Sequence, residues 1–429
     1  MTKKVKIYLI DAYLSYDLEG SDRERRLNES MSLLRTLNYE LLEYHTFRLT
    51  KIENRTYITK GALDIALEEL SFLGDEVKVV LTFDASPSQI QNLKNILGRE
   101  VIDRTQLIVA IFSMHAKSKE ARIQVDLAEI SYRLSALTQS NLNYDQDTSS
   151  GRGYTATRGV GEKQIALDRR LLSKRRDHLQ KELNKIKSNR DVRRRKRIDS
   201  AYPIVSLVGY TNAGKSSLMN AFLKLAKKDN KQVVVEDKLF TTLDTSTRLI
   251  EIKNYPSFIL IDTVGIIENL PIELVKAFRS TYEEACSSTL IIDVIDISSS
   301  HYENDRISAQ KMLEELGIES IDRIDVYNKI DQYYGNVFQK ESNALYISTY
   351  IEEDIYYLLD EISKRISKDW ISFKMNLPFE EPFYRLSKFA YITKKIETNE
   401  GLLLEGKINP SVRKYYQKYF TNLDGFDIN

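Results

Sequence analysis

Three observations along the chain predict an α/β protein built in parts. Short β-branched runs alternate with helical runs as far as about Met114. Apolar residues then recur at the spacing of a helix seam through a long, charged stretch. Further on, the strand-like "PIVSLV" enters the loop "GYTNAGKSS" and leaves as a helical run. The first pattern predicts a small, mainly parallel α/β layer domain over 1–117, since parallel strands need crossover helices. The second predicts an antiparallel helical hairpin over 118–199 with a Gly-rich loop at 150–161. The third predicts a phosphate-loop α/β domain over 200–367, and a small α+β appendage over 368–429 closes the chain.

The 429 residues suffice for two or three domains, and 42% apolar with 29% charged residues is the balance of a globular protein. No run approaches the roughly eighteen apolar residues of a membrane helix, so no membrane span is expected. The opening "MTKKVKIYLIDAYLS" has lysines before an apolar run, but Asp11 interrupts it; a first strand fits better than a signal peptide. One cysteine, Cys286, excludes an internal disulfide and fits a reducing compartment; a small buried apolar role is its plain reading. His45, His115, His178 and His301 share no metal-site spacing. A cytoplasmic protein is expected, with a monomer the favoured state.

Within the first domain, "KVKIYLI", "VKVVLTF" and "QLIVAIF" read as buried strands. "RLNESMSLLRTL" and "SPSQIQNLKNIL" carry helical periodicity, the second opening on Ser86 or Ser88 as cap. In the hairpin, Ile123, Leu127, Ile130, Leu134 and Leu137 step by four and three, while Ile165, Leu172, Leu179 and Ile186 recur every seven residues. Leu183 thickens the second stripe. Net charge is only +1, yet 168–198 holds fourteen Lys or Arg against four Asp or Glu. A solvated face is the ordinary outcome of such a run. The closing "RRRKR" favours phosphate contact by Arg193, Arg194 and Arg195, because crowded like charges repel unless a partner neutralises them. The loop "SGRGYTATRGVGEKQ" follows no strand, which argues against a dinucleotide fingerprint. It is either a flexible linker or a functional tip presenting Arg152 and Arg158 to RNA.

The pattern Gly209-x-x-x-x-Gly214-Lys215-Ser216, between a strand and a helix, is that of a phosphate loop. Backbone amides from Gly209 through Tyr210, Thr211, Asn212, Ala213 and Gly214 to Ser217 can wrap phosphates, with the positive end of the helix behind them. Lys215 reaches the β- and γ-phosphates, and the Ser216 hydroxyl is a hard ligand for Mg2+. "IDTVGIIENLP" supplies a D-x-x-G in which Asp262 would hold the magnesium through water and the Gly265 amide would meet the γ-phosphate. A sensor hydroxyl is expected in "DKLFTTLDTSTRLI", where Thr242 is the choice and Thr241 the alternative; the plain reading of either is a strand-edge threonine. The switch segments are therefore Phe240 to Thr242 and Asp262, Thr263, Val264, Gly265 and Ile266.

Base choice is carried by "RIDVYNKIDQYY". An ionised Asp331 can accept two hydrogen bonds from guanine, which adenine does not offer. Asn328 would approach the other side of the base, the Lys329 stem its face, and the backbone of Ser348 and Thr349 the guanine oxygen. These motifs in this order predict a central Ras-like domain that binds GTP and hydrolyses it to GDP. Ile266 occupies the place where many such enzymes carry a water-orienting glutamine, so hydrolysis by the isolated chain should be slow.

Together, "VGYTNAGKSSL", "LFTTLDTSTR", "DTVGIIENLP", "AFRSTYEE" and "NKID" resemble the HflX family of translation-associated GTPases. Upstream, "SPSQIQNL", "VIDRTQLIVAIF", "QVDLAEISYRL" and "TRGVGEKQIALDRR" resemble its N-terminal domain, so the likeness covers about 1–365. Ile266, Val160 and Ala166 depart from residues common in the family. The resemblance implies a GTPase that binds the large ribosomal subunit, with its N-terminal domain directed toward ribosomal RNA, and that separates stalled or idle ribosomes. It also places the missing catalytic help on the ribosome. Asn212 matches a position at which some related GTPases hold K+ beside the phosphates; a structural loop role is the alternative. Rival readings are a ribosome-assembly GTPase and a nucleotide-gated adaptor for a protein partner.

Overall fold

The computed structural model describes residues 4–15, 20–146, 158–198, 202–226, 246–263, 265–266, 287–315, 317–318, 320–333 and 344–421, although for 20–22, for part of 136–165 and for 187–198 it describes only the backbone path. The chain forms two compact units, one built mainly from 1–187 and the other mainly from 188–429.

The first unit is a layer of helices on a four-stranded parallel sheet of order β2-β1-β3-β4. Strands β1 (Lys6–Leu14), β2 (Glu40–Leu49), β3 (Lys78–Leu81) and β4 (Val101–Ile102) alternate with helices α1 (Gly20–Thr36), α2 (Lys60–Ser71), α3 (Pro87–Leu97) and α4 (Arg104–His115). Tyr8, Ile10, Val79 and Leu81 meet Ala66, Leu70, Ile90 and Leu93 in one core. Ser86, not Ser88, caps α3, forming a reciprocal capping box with Gln89.

One predicted strand is a helix. "QLIVAIF" lies within α4, because Asp103 and Gln106 close a capping box at its start. Leu107, Ile108, Ile111 and Phe112 are then buried at helical spacing. An apolar run of that length is ambiguous between strand and helix, and the cap decides it. The strand of this segment is the short β4 just before it. Edge strand β2 went unpredicted, because its charged and exposed residues break the alternation of a half-buried strand.

Helices α5 (Lys119–Gln146) and α6 (Arg158–Ile198) follow. Ile123 and Leu127 pack with Leu179, Leu183 and Ile186, joining the two predicted seams. Lys119 pairs with Glu182 and Asp126 with Arg175, each at 3.6 Å. A step forward along one helix is thus an equal step back along the other, the signature of antiparallel packing.

The second unit carries a six-stranded sheet of order β10-β9-β8-β5-β7-β6. Its strands are β5 (Ile204–Val208), β6 (Ser246–Ile250), β7 (Phe258–Asp262), β8 (Leu290–Asp296), β9 (Arg323–Asn328) and β10 (Ala344–Tyr346). Only β6 runs antiparallel, against β7. Helices α7 (Lys215–Leu225), α8 (Tyr302–Glu315) and α9 (Glu352–Ile366) pack on it, with Phe222, Leu260, Val294 and Leu358 in the core.

The closing segment is a three-stranded antiparallel sheet of order β11-β13-β12, formed by β11 (Ile371–Pro378), β12 (Ala390–Thr398) and β13 (Gly401–Ile408). The predicted hairpin around Asn399-Glu400-Gly401 is present. The predicted helix in "PSVRKYYQKYF" is instead three short turns, of which only Arg413–Tyr416 is α-helical. The Ser257 amide donates to the Lys388 carbonyl at 2.9 Å, Lys388 pairs with Glu251 at 2.9 Å, and Tyr202 stacks on Phe389. These contacts fasten the segment to the six-stranded sheet.

Candidate nucleotide site

Five fully buried residues make β5, and the chain leaves it through two glycines in the left-handed region, Gly209 at φ +136° and Gly214 at φ +97°. Neither position tolerates a side chain. A Cβ on Gly209 would strike the Val294 carbonyl, and one on Gly214 the Asn328 amide. Asn212 also takes positive φ, at +62°. This path turns the chain directly into α7, whose N-cap is Gly214 and which no described side chain caps.

Lys215, the first residue of α7, folds back over the loop. Its ammonium donates to the Gly209 carbonyl at 3.0 Å and to the Tyr210 carbonyl at 2.6 Å. Burial pushes its pKa down to about 8, opposed by the charges of Asp262 and Asp293. Beside it, the Ser216 hydroxyl donates to Asp262 Oδ2 at 2.8 Å. Two hard-oxygen side chains from different elements therefore meet next to a buried cation. Thr263 is fully buried and its hydroxyl donates to the Leu207 carbonyl at 2.7 Å, pinning the end of β7 to β5.

The D-x-x-G segment is joined to the phosphate loop. Thr211 N–H donates to the Ile266 carbonyl at 2.8 Å, and Ile266 N–H to the Gly209 carbonyl at 3.0 Å. Ile266 itself is only 1% exposed. Gly265 lies so close that a Cβ there would meet Thr211 Cγ2 at 2.7 Å and Lys215 Nζ at 3.2 Å. An apolar residue at this position thus serves as a packed plug on the loop and presents nothing polar to a water molecule.

At the other end, β9 delivers Asn328, whose side-chain amide donates to the Ala213 carbonyl at 2.9 Å. Its Oδ1 is buried and accepts no hydrogen bond among the described residues. Lys329 adopts φ +64°, and its ammonium pairs with Asp296 Oδ2 at 2.6 Å. Asp331 follows in a single 3-10 turn with its side chain exposed. Ser348 is buried, and its amide, predicted to face the base, donates to Asp354 Oδ2 at 2.7 Å. Thr349 is half-buried beside it.

Sequence reasoning missed Asp296 and Asp354, the anchors of Lys329 and of the Ser348 amide. Neither belongs to a local motif, so no spacing could reveal them. Ser217 lies in the first turn of α7 and Tyr210 in the loop. Phe240, Thr241, Thr242, Val264 and Arg152 lie outside the described residues, as do the side chains of Arg158, Arg193, Arg194 and Arg195.

A mainly parallel sheet with a glycine-shaped loop, a buried lysine, a Ser–Asp pair and an N-K-x-D turn at its carboxyl ends defines a P-loop GTPase. Family models described as "GTP-binding GTPase N-terminal", "GTP-binding GTPase Middle Region" and "50S ribosome-binding GTPase" match residues 24–113, 115–197 and 204–329. The GTPase HflX of Alkalihalophilus pseudofirmus is 33% identical over 408 residues, 93% of each chain. That of Escherichia coli is 31% identical over 412 residues, 94% of this chain and 92% of its own. A solved GTP-binding protein of Sulfolobus solfataricus in complex with GDP aligns at TM-score 0.45 and 23% identity, covering 84% of this chain and 100% of its own. The chain belongs to the HflX family of GTPases.

Proposed function

We propose that this GTPase associates with the large ribosomal subunit, that it splits or remodels stalled or idle ribosomes, and that its own slow hydrolysis is accelerated there. The observation that carries the catalytic half is Ile266, buried against the phosphate loop where a water-orienting side chain would be needed. The ribosomal half draws on the family description matched by residues 204–329.

Ser216 and Asp262 would hold a magnesium ion, whose charge offsets that of the phosphates. Lys215 supplies a fixed charge at the β- and γ-phosphates, and the uncapped start of α7 offers its free amides. A terminal phosphate reaching the Gly265 amide enters where Gly265 now packs on Thr211 and Lys215. Asp331 accepts from guanine, while Asp296 steadies the Lys329 stem against the ring. Thr242 completes the sensor, and a potassium ion at Asn212 would add charge beside the phosphates. The cytoplasm is the compartment in which such a partner is met.

Two measurements test this reading. Sedimentation with large subunits should be stronger with a non-hydrolysable GTP analogue than with GDP. Turnover should rise about a thousandfold or more on adding large subunits, the range that partner-supplied groups reach in such reactions. Fast turnover by the protein alone, unaffected by ribosomes, would place a catalytic side chain elsewhere. Comparing potassium with sodium isolates Asn212. Arg193, Arg194 and Arg195 are assigned to RNA phosphates; replacing all three with Gln should lower the log–log salt slope by about two to three units. An unchanged slope would leave them on a solvated face.

A further inference from the structure

The family models end at residue 329, and the closing three-stranded sheet has no chemistry assigned to it. One face of that sheet is closed by its own core of Phe373, Met375, Leu386, Leu404 and Tyr416. The turns flanking it carry a different kind of surface. Tyr384 and Tyr415 are 56% and 54% exposed, although Leu386 and Tyr416 on the same two turns are buried.

These rings lie among cations. The Arg385 side chain is exposed, follows Tyr384 directly in the chain and lies within the electrostatic reach of both Tyr384 and Tyr415. Lys418 is likewise exposed, with its ammonium 4.5 Å from the centre of the Tyr419 ring and 4.0 Å from Glu381. Glu381 is itself engaged, accepting from the Tyr419 hydroxyl at 2.7 Å. Lys414 is exposed beside Tyr415. Across 368–421 ten Lys or Arg face six Asp or Glu, so the local balance is positive in a chain whose net charge is only +1.

We propose that Tyr384 and Tyr415, with Arg385, Lys414 and Lys418 around them, form a surface on which unpaired RNA bases stack while their phosphates meet the cations. Flat, half-exposed aromatic rings held by a packed scaffold lose little freedom on stacking, and any base offers a face to them. Guanidinium and ammonium groups set beside the rings complement the phosphates that accompany each stacked base. A duplex offers the same phosphates but no free base faces, which separates stacking from simple charge attraction. The inference rests on the ribosomal reading above for the source of the RNA. Its test uses free RNA, so either can fail without the other.

The experiment measures fluorescence anisotropy of the full chain with GDP against a labelled, unstructured 12-nucleotide RNA and against the same sequence as a duplex. Joint Tyr384→Ala and Tyr415→Ala should weaken binding to the single strand about tenfold or more while changing duplex affinity less than twofold. Joint Tyr384→Phe and Tyr415→Phe keeps the ring faces and should restore binding. Arg385→Gln with Lys418→Gln should weaken both RNAs and flatten the salt dependence. An unchanged single-strand affinity in the alanine pair would overturn the proposal, as would an equal loss on both RNAs or a failure of the phenylalanine pair to restore binding. Unchanged RNA binding together with lost sedimentation on large subunits would assign the surface to a ribosomal protein, which also overturns it. Melting temperatures of the variants confirm that the exposed substitutions leave the fold intact.

Discussion

Both units place helices on sheets whose central strands are parallel, but the helices α2, α3 and α4 begin differently from α7. In the first unit, Thr59, Ser86 and Asp103 each turn a side-chain oxygen onto the first free amides of α2, α3 and α4. Those helix starts are closed, and their dipoles are satisfied within the fold. In the second unit α7 begins at Gly214 with no described side-chain cap, so its amides remain open at the carboxyl end of β5. Buried aspartates show the same contrast. Asp11 in β1 accepts from Thr82 at 2.6 Å and from Arg26 at 3.2 Å, whereas Asp262 at the end of β7 meets Ser216 beside the loop. One architecture thus gives a self-contained layer in one place and an anion site in another. The difference lies in whether the helix start is capped by its own chain or left for a ligand.

Four experiments put the contrast between closed and open helix starts at risk, and the largest effect is expected at Lys215. Lys215→Ala should cut hydrolysis about a hundredfold or more, as loss of a preorganised donor does, and weaken GTP more than GDP. Equal weakening of both nucleotides in a binding titration would mean that Lys215 does not reach the γ-phosphate. At the base end, Asp331→Asn should shift preference from GTP toward xanthosine triphosphate by about 10- to 100-fold, since a charged acceptor is exchanged for a donor. Competition binding with the two triphosphates reads this directly, and unchanged guanine selectivity would remove Asp331 from the site.

The capped helix starts should respond through stability alone. Ser86→Ala removes the α3 cap and should cost about 1 kcal/mol in denaturant unfolding of the first unit, with GTP affinity unchanged. A fall in nucleotide affinity would show that the two kinds of helix start are not independent. The smallest effect concerns protons. Burial pushes the Lys215 pKa down to about 8, so in the nucleotide-free protein its neutral form gains weight as the pH rises toward that value. Phosphates favour the charged form, and binding should therefore take up more protons through Lys215 at pH 8 than at pH 6. Calorimetry in buffers of different ionisation enthalpy measures the uptake; none at pH 8 would mean that Lys215 stays charged throughout.

Features whose physics is local could be read from the residues alone. Gly209 and Gly214 are required by backbone angles that other residues resist, and the order of phosphate loop, D-x-x-G and N-K-x-D is written in adjacent residues. The heptad stripes of α5 and α6 were legible because a helix repeats its contacts at fixed spacing. Other features depend on partners far along the chain and emerge once the chain is folded. "QLIVAIF" became a helix because Asp103 and Gln106 close its start and the layer buries its apolar flank, which periodicity alone does not reveal. Lys329 found Asp296, and the Ser348 amide turned to Asp354, through pairings no motif encodes. Ile266 was visible in sequence as a missing glutamine. Its seat on Gly209 and Thr211 follows from β5 and β7 lying side by side, which brings two loops within hydrogen-bond reach.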